Sequence, residues 1–439
     1  MDAHLTRSTI GIALILGWCL AGALTLAATT RGALATGAVE KALDDGERVA
    51  QWQEDLAFLS SELPQLHKNL YYDIAEEDFQ KMVKSLDEEI IRLNDAEVML
   101  RMMEIVAAVN DGHTTLSPDV QRFHAFPMQF YWFADGIHVV GAAGDLVEHI
   151  GSEVTHVGTL KINEAVSRLS RFISHDNESG LKNKIPSFLQ FSNAFGLIGA
   201  LDKTSDHPFT TTFTLKRDGR SRRVVVEGIP VAQLRSMNWS GVERTKPLCE
   251  QKMQLDQWND WLAESRTLYF KYNRCRDANA FSDLVVGTRG FLQGTKADRF
   301  VLDLRHNGGG NSRIFLPLHL YLSTHPTLNA EGRLYVILGR HTFSSALLNA
   351  LEMRTTKATF VGEPTGGRPN HYGEVRTFRL PNSGLNVTYS TKFFTMVVDG
   401  DPDALEPDIH AEPTYDQWAS GHDPVLEAVF EHSKAALGN

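Results

Sequence analysis

Apolar residues recur at mixed three-and-four spacing through the first third of the chain. Leu56, Phe58, Leu59, Leu63 and Leu66 mark one helical face, and Val98, Met102, Ile105, Val106 and Val109 mark another. Asp95 is placed to cap the second helix, which should end at Asn110-Asp111-Gly112, with Gly112 in a left-handed C-terminal position. His113 would then emerge just past a helix end, beside the strand-like Thr114-Thr115-Leu116. From 128 to 230 the pattern changes to short alternating runs: Met128 to Phe133, Ile137 to Gly141, Glu153 to Val157, Phe209 to Leu215 and Arg222 to Val226. Helical stretches at Asn163 to Phe172 and Ser187 to Leu201 interrupt them. Residues 231 to 262 are Trp-rich and mixed, and read as a linker plus a helix.

From Thr267 onward, strands and helices alternate. Strands are expected at Thr267 to Tyr272, Phe300 to Leu304, Leu334 to Leu338 and Ala358 to Gly362, with helices between them, one of them opening at Ser344. Such alternation argues for a largely parallel sheet with crossover helices. The segment Val375 to Phe394 reads as a hairpin around Pro381-Asn382-Ser383-Gly384. The fold class is therefore α/β, with expected units at 1-35 (signal peptide or anchor), 45-118 (helical), 128-230 (β-rich) and 260-435 (α/β).

Composition narrows the function. A length of 439 residues exceeds what one core usually organises. The net charge of −11 argues against a nucleic-acid partner, which would require a basic surface to neutralise phosphates. Arg7, the apolar run Ile10 to Ala28 and Ala33-Leu34-Ala35 have the layout of a secretory signal peptide; the run is also long enough to serve as an uncleaved membrane anchor. Either outcome implies a periplasmic or extracellular globular part. Cys249 and Cys275 are compatible with one disulfide or with two buried thiols.

The chemistry concentrates at two expected strand ends. Val301-Leu302-Asp303-Leu304-Arg305-His306-Asn307 runs into Gly308-Gly309-Gly310, and Thr342-Phe343-Ser344-Ser345 opens a helix. Bare N–H groups at one end and a hydroxyl at the other are parts of an acyl-transfer site. Asp-Leu-Arg-x-Asn-x-Gly-Gly, with Thr342-Phe343-Ser344, Val361-Gly362-Glu363-Pro364-Thr365-Gly366-Gly367, Asp111-Gly112-His113-Thr114 and Glu406-Pro407-Asp408-Ile409, resembles the carboxy-terminal processing and tricorn-core family of serine peptidases, the tail-specific protease relatives. The resemblance covers roughly residues 55 to 430. It implies a crotonase-like spiral ββα catalytic domain, an N-terminal helical region and a degenerate PDZ-like module around Val157 to Ala165.

Carried over residue by residue, the resemblance makes Ser344 the nucleophile of a serine-type peptidase acting on polypeptides. Ser345 is the nearest rival hydroxyl, and an N-cap is the alternative role of Ser344. The family's lysine position falls on Arg368, a guanidinium that cannot accept a proton. The base is then His113, as in the tricorn-like branch. Lys392 is a rival on a strand edge. Asp401 aligns with the family's orienting carboxylate, and Glu406 and Glu363 stand as alternatives. Backbone N–H groups of Gly309 and Ser345 are the expected oxyanion donors. Arg368, His371 and Asn307 are candidates to line the substrate cleft; His306 and His341 flank the two key motifs; Asp303 and Arg305 are expected to hold the loop by pairing internally, and Asn307 is also expected to tie down the glycine turn. No metal or other cofactor is implied, since HExxH, Walker and GxGxxG-after-strand patterns are missing. Two other readings remain on the same fold: a catalytically inactive peptide- or small-ligand-binding protein, and an esterase.

Overall fold

The computed structural model describes residues 45–438. The proposed signal or anchor segment, Cys19 included, lies outside them. The chain is a mixed α/β protein. Its C-terminal half is built on a six-stranded sheet ordered Gln257–Leu262, Thr267–Tyr272, Arg299–Asp303, Leu334–Leu338, Thr359–Gly362 and Ile409–His410. The first pair is antiparallel and the rest are parallel. Alternate side chains point to opposite faces, and here both faces are buried. Leu268, Phe270, Phe300, Leu302, Leu334, Val336 and Phe360 meet helices Ala278–Gly294, Leu316–Ser323 and Ser345–Met353. Tyr269, Val301, Tyr335, Ile337 and Val361 meet the C-terminal helix Pro424–Leu437. Covering on both sides explains why these strands read as continuous apolar runs.

A second core joins the N-terminal helices Asp45–Leu66, Glu76–Glu89 and Asp95–Ala107 to the seven-stranded sheet of the β-rich region. The same core takes in Leu380, Leu385, Val387 and Tyr389 from the late hairpin His371–Arg379/Asn386–Phe394. That hairpin also pairs with Thr115–Ser117, in the register Thr115↔Thr388. This pairing carries the segment just after His113 to the back of the chain.

Several local expectations are corrected. The cap of the third helix is Asn94, which closes a capping box with Glu97 one residue before Asp95. The left-handed residue after that helix is Asn110, at φ 59°. Gly112 is needed for space instead: a Cβ there would lie 2.5 Å from the Asp176 carboxylate oxygen. The Trp-rich stretch forms strands Trp239–Gly241 and Gln257–Leu262, with the four-residue helix Val231–Leu234 at its start and a 3-10 turn at Leu248–Glu250. Tertiary pairing overrode the mixed pattern there. Cys249 and Cys275 are both free and buried.

Candidate active site

The strand Arg299–Asp303 ends against a buried charge network. Asp303 is fully buried and accepts from Lys271 Nζ at 2.9 Å, from the Tyr269 hydroxyl and from Arg305 Nε at 3.0 Å. Arg305 continues to Asp423 at 2.7 Å. Burial alone would raise the Asp303 pKa, but the Arg305 and Lys271 cations hold it well below the usual carboxylate range. Asp303 and Arg305 thus fix the root of the glycine loop. Asn307 is also fully buried, and its Oδ1 accepts the Gly309 N–H at 2.9 Å. Of its two expected roles, Asn307 takes that of tying down the glycine turn and not that of lining a cleft; the Gly309 N–H is already donated to it, which corrects the expectation of a free oxyanion donor there.

The strand Leu334–Leu338 leads to the other half. Thr342 is buried and bridges the two strand ends, donating to the Leu304 carbonyl at 3.0 Å and accepting the Gly339 N–H at 3.1 Å. Ser344 follows at φ 51°, ψ −128°. An L-residue adopts such torsions only where its surroundings impose them. Its side chain makes no capping hydrogen bond, so the N-cap role is not filled. Ser345, the rival hydroxyl, is committed to the Gly310 carbonyl at 2.7 Å. The Ser345 N–H opens the helix and has no backbone acceptor among the described residues. Gly309 lies directly beneath: a Cβ on it would sit 2.9 Å from Ser344 Cβ and 3.0 Å from the Ser345 nitrogen. The Ser344 hydroxyl and the free Ser345 N–H are therefore neighbours over a floor without side chain.

His113 reaches this place from the front of the chain. Its ring stacks on Phe343, the residue before Ser344, with centroids 4.3 Å apart and planes 27° apart. The ring of His371 lies parallel to it at 5.5 Å. His113 is buried, and neither of its ring nitrogens has a hydrogen-bond partner among the described residues, the Ser344 hydroxyl included. Burial depresses its pKa, against the pull of Asp111 and Asp176. The imidazole is thus held neutral, the form a general base requires.

Asp401 is exposed and makes no hydrogen bond or ion pair with His113 among the described residues; its electrostatic partner is Arg368. The expectation that it orients the histidine is corrected. Glu363 is committed to Arg340 and Glu406 to His410. Linear order pointed to an acidic loop, but the carboxylates that act on His113 are Asp111 and Asp176. Asp111 accepts from His67 Nε2 at 3.1 Å, Ser390 Oγ at 2.6 Å, Thr114 Oγ1 at 2.5 Å and the His113 N–H at 2.9 Å. Burial pushes its pKa up, and the His67 and hydroxyl hydrogen bonds bring it below the ordinary value.

The remaining candidates fall around this centre. The Arg368 guanidinium pairs with Asp403. His371 is buried, hydrogen-bonded to the Pro369 carbonyl at 3.2 Å, and reaches the site only as a ring stacked on His113. Lys392 stands in solvent beside Glu374 at 3.5 Å. His341 contacts Asn183 at 3.0 Å, and burial followed by Lys184 and Lys271 depresses its pKa to about 4. His306 lies 3.1 Å from Lys271 Nζ, and its pKa is depressed by burial and that cation. Sequence reasoning missed Asp176, Lys184, His67 and Lys271. Only His67 carried any signal, as a polar residue between apolar ones.

No family model matches the chain, and no curated protein matches it in sequence. Solved structures do match. Mature CPAF complexed with lactacystin is similar at 14% identity over 89% of this chain and 98% of that one, with a TM-score of 0.56. A CPAF mutant is similar at 13% identity over 89% and 98%, with a TM-score of 0.57. The chain shares the fold of CPAF. A looser likeness, at 12% identity over 87% and 96% and a TM-score of 0.38, is to the photosystem II D1 C-terminal processing protease.

Proposed function

We propose that the chain is an exported serine endopeptidase that hydrolyses peptide bonds with Ser344 as nucleophile and His113 as base. The observation that carries this reading is the pairing of a strained, uncapped Ser344 with a buried, neutral imidazole that lacks a hydrogen-bond partner and rests on the adjacent Phe343 ring. Resemblance of the five motifs to tail-specific protease relatives supports it, as does the fold shared with CPAF. In this reading residues 260-435 form a crotonase-like catalytic domain, 45-118 a helical region and 128-230 a PDZ-like module. The apolar N-terminal run supports export to the periplasm or beyond, with anchoring if it is retained.

The chemistry follows from the geometry. Ser344 Oγ attacks the scissile carbonyl while His113 takes its proton and then delivers it to the leaving amine. Charge that develops on the carbonyl oxygen meets the free Ser345 N–H at a helix N-terminus, whose dipole favours an anion. Water then attacks the acyl-enzyme along the reverse path. The Ser344–His113 hydrogen bond is open in this structure, and such bonds commonly tighten only with substrate in place.

A fluorophosphonate probe tests the proposal. Covalent labelling at Ser344, abolished by Ser344→Ala, together with casein turnover, is the expected result. Labelling with ester but no casein turnover would indicate an esterase. A chain that takes no label at all would be a binding protein.

A further inference from the structure

We infer that Asp111, held in place by His67, is the carboxylate that orients the His113 ring and supports its charge when it takes the serine proton. The inference rests on the serine peptidase reading above and deepens it. Among the described residues, Asp111 is the carboxylate that comes within ion-pair distance of the ring, with Oδ1 3.8 Å from Nδ1. Asp176, the other buried carboxylate at this turn, makes its close contact with the Gly112 N–H at 2.6 Å instead.

The two oxygens of Asp111 are unequally occupied. Oδ2 accepts from Thr114 Oγ1 at 2.5 Å, Ser390 Oγ at 2.6 Å and His67 Nε2 at 3.1 Å. Oδ1 accepts only the His113 backbone N–H, at 2.9 Å. A carboxylate oxygen can accept about two hydrogen bonds, so the oxygen that faces the ring is the one with capacity left. At 3.8 Å the resting contact is not a hydrogen bond. A shift of about 1 Å would close it to the length of a charge-assisted one. Neither ring nitrogen of His113 has a hydrogen-bond partner among the described residues, so closing it breaks no existing bond.

His67 is a buried histidine that the proposed chemistry does not otherwise use. It follows the helix Asp45–Leu66, and its Nδ1 accepts the Asn69 N–H at 3.2 Å. The proton is therefore on Nε2, which donates to Asp111. The side chains of this pair are 0% and 1% exposed, so water cannot replace the bond. The neighbouring Lys68 N–H binds the Ser390 carbonyl at 2.9 Å, which braces two of the donors to Asp111 against each other. Burial alone would push Asp111 toward protonation, and the His67 hydrogen bond leads the contacts that keep it ionised.

Other titratable groups face these three residues. Asp176, His371 and Lys184 act on His113, Tyr72 faces Asp111, and the Tyr372 ring lies 5.2 Å from that of His67. Lys184 and His371 oppose an imidazolium, which raises the need for a carboxylate beside it.

Asp111→Asn removes the charge at nearly constant volume. In the probe-reactive enzyme, kcat should fall about a hundredfold with KM within about threefold. His67→Phe keeps a ring but removes the donor and should lower kcat about tenfold; His67→Gln, which restores an N–H, should recover part of that loss. A readout free of activity is the His113 titration by NMR in a Ser344→Ala background. Asp111→Asn should lower that pKa by about half a unit or more, His67→Phe by less, and the acidic limb of the kcat/KM profile should move to lower pH with it. The parent chain supplies a measurement that needs no variant at Asp111: protonated His113 should show an Nδ1 proton shifted far downfield by its carboxylate acceptor. Absence of that proton, an unmoved His113 titration, or a folded Asp111→Asn enzyme within about threefold of the parent in kcat would overturn the assignment while leaving Ser344 and His113 in place. A parent chain that takes no fluorophosphonate would instead remove the underlying peptidase reading.

Discussion

At the scale of single residues, Ser344 is the most informative position, because its backbone conformation is unfavourable and nothing in the turn needs its side chain for capping. Strain of this kind persists only where surrounding contacts fix it. Here Phe343 N–H is tied to the Asn307 carbonyl at 3.1 Å and Thr342 to Leu304. Glycine would relax the torsions without disturbing those ties. Ser344→Gly should therefore be more stable than Ser344→Ala by about 1 kcal/mol, and both should lack activity. Thermal unfolding of the two variants side by side checks this, and equal midpoints would mean the turn is not strained. The serine was legible in the sequence because the signal is local: a strand, Thr-Phe-Ser and an apolar helix. The carboxylate packed against the Asp-Gly-His turn was not. Asp176 sits in a short polar connection with no periodicity of its own, and only the folded packing of Gly112 against it reveals the contact.

At the scale of elements, the glycine loop works because its supporting strand is pinned electrostatically. Lys271, on the neighbouring strand Thr267–Tyr272, is fully buried, as is its partner Asp303. Sequence pattern could not find that pair, since a lysine in Tyr-Phe-Lys-Tyr reads as an edge residue until parallel pairing of Lys271 with Asp303 is known. The alternation of helices and strands was legible because each strand is apolar on both faces, whereas the Trp-rich stretch became a strand only through its antiparallel partner Thr267–Tyr272. Removing one member of a buried pair strands the other. Lys271→Met should destabilise the protein by about 3 kcal/mol and loosen the loop on which Gly309 supports Ser344. Urea denaturation would show a lower midpoint at unchanged slope. A midpoint equal to that of the parent would mean Arg305 and Tyr269 satisfy Asp303 without the lysine.

At the scale of the whole molecule, the site gathers His113, His306, His341 and His371 at the junction of the two cores, and burial depresses the pKa of each. The sign of the consequence is fixed. In the unfolded chain these imidazoles titrate near the ordinary value of about 6.5, whereas in the fold they resist protonation. Below that pH the unfolded state binds more protons, so stability is present above about 6.5 and declines as pH falls toward the folded values, about 4 for His341. Each histidine contributes a slope of up to about 1.4 kcal/mol per pH unit within its window. Asp176, with its pKa raised, offsets part of this by taking up a proton in the folded state. The unfolding midpoint should therefore be nearly level above pH 7 and fall between pH 6.5 and 5. A His341→Asn variant should show a shallower fall. A midpoint constant from pH 7 to 5 would contradict the buried neutral imidazoles. It would also remove the reason for His113 to be a ready proton acceptor, because the same desolvation that makes the fold acid-sensitive keeps that base unprotonated at neutral pH.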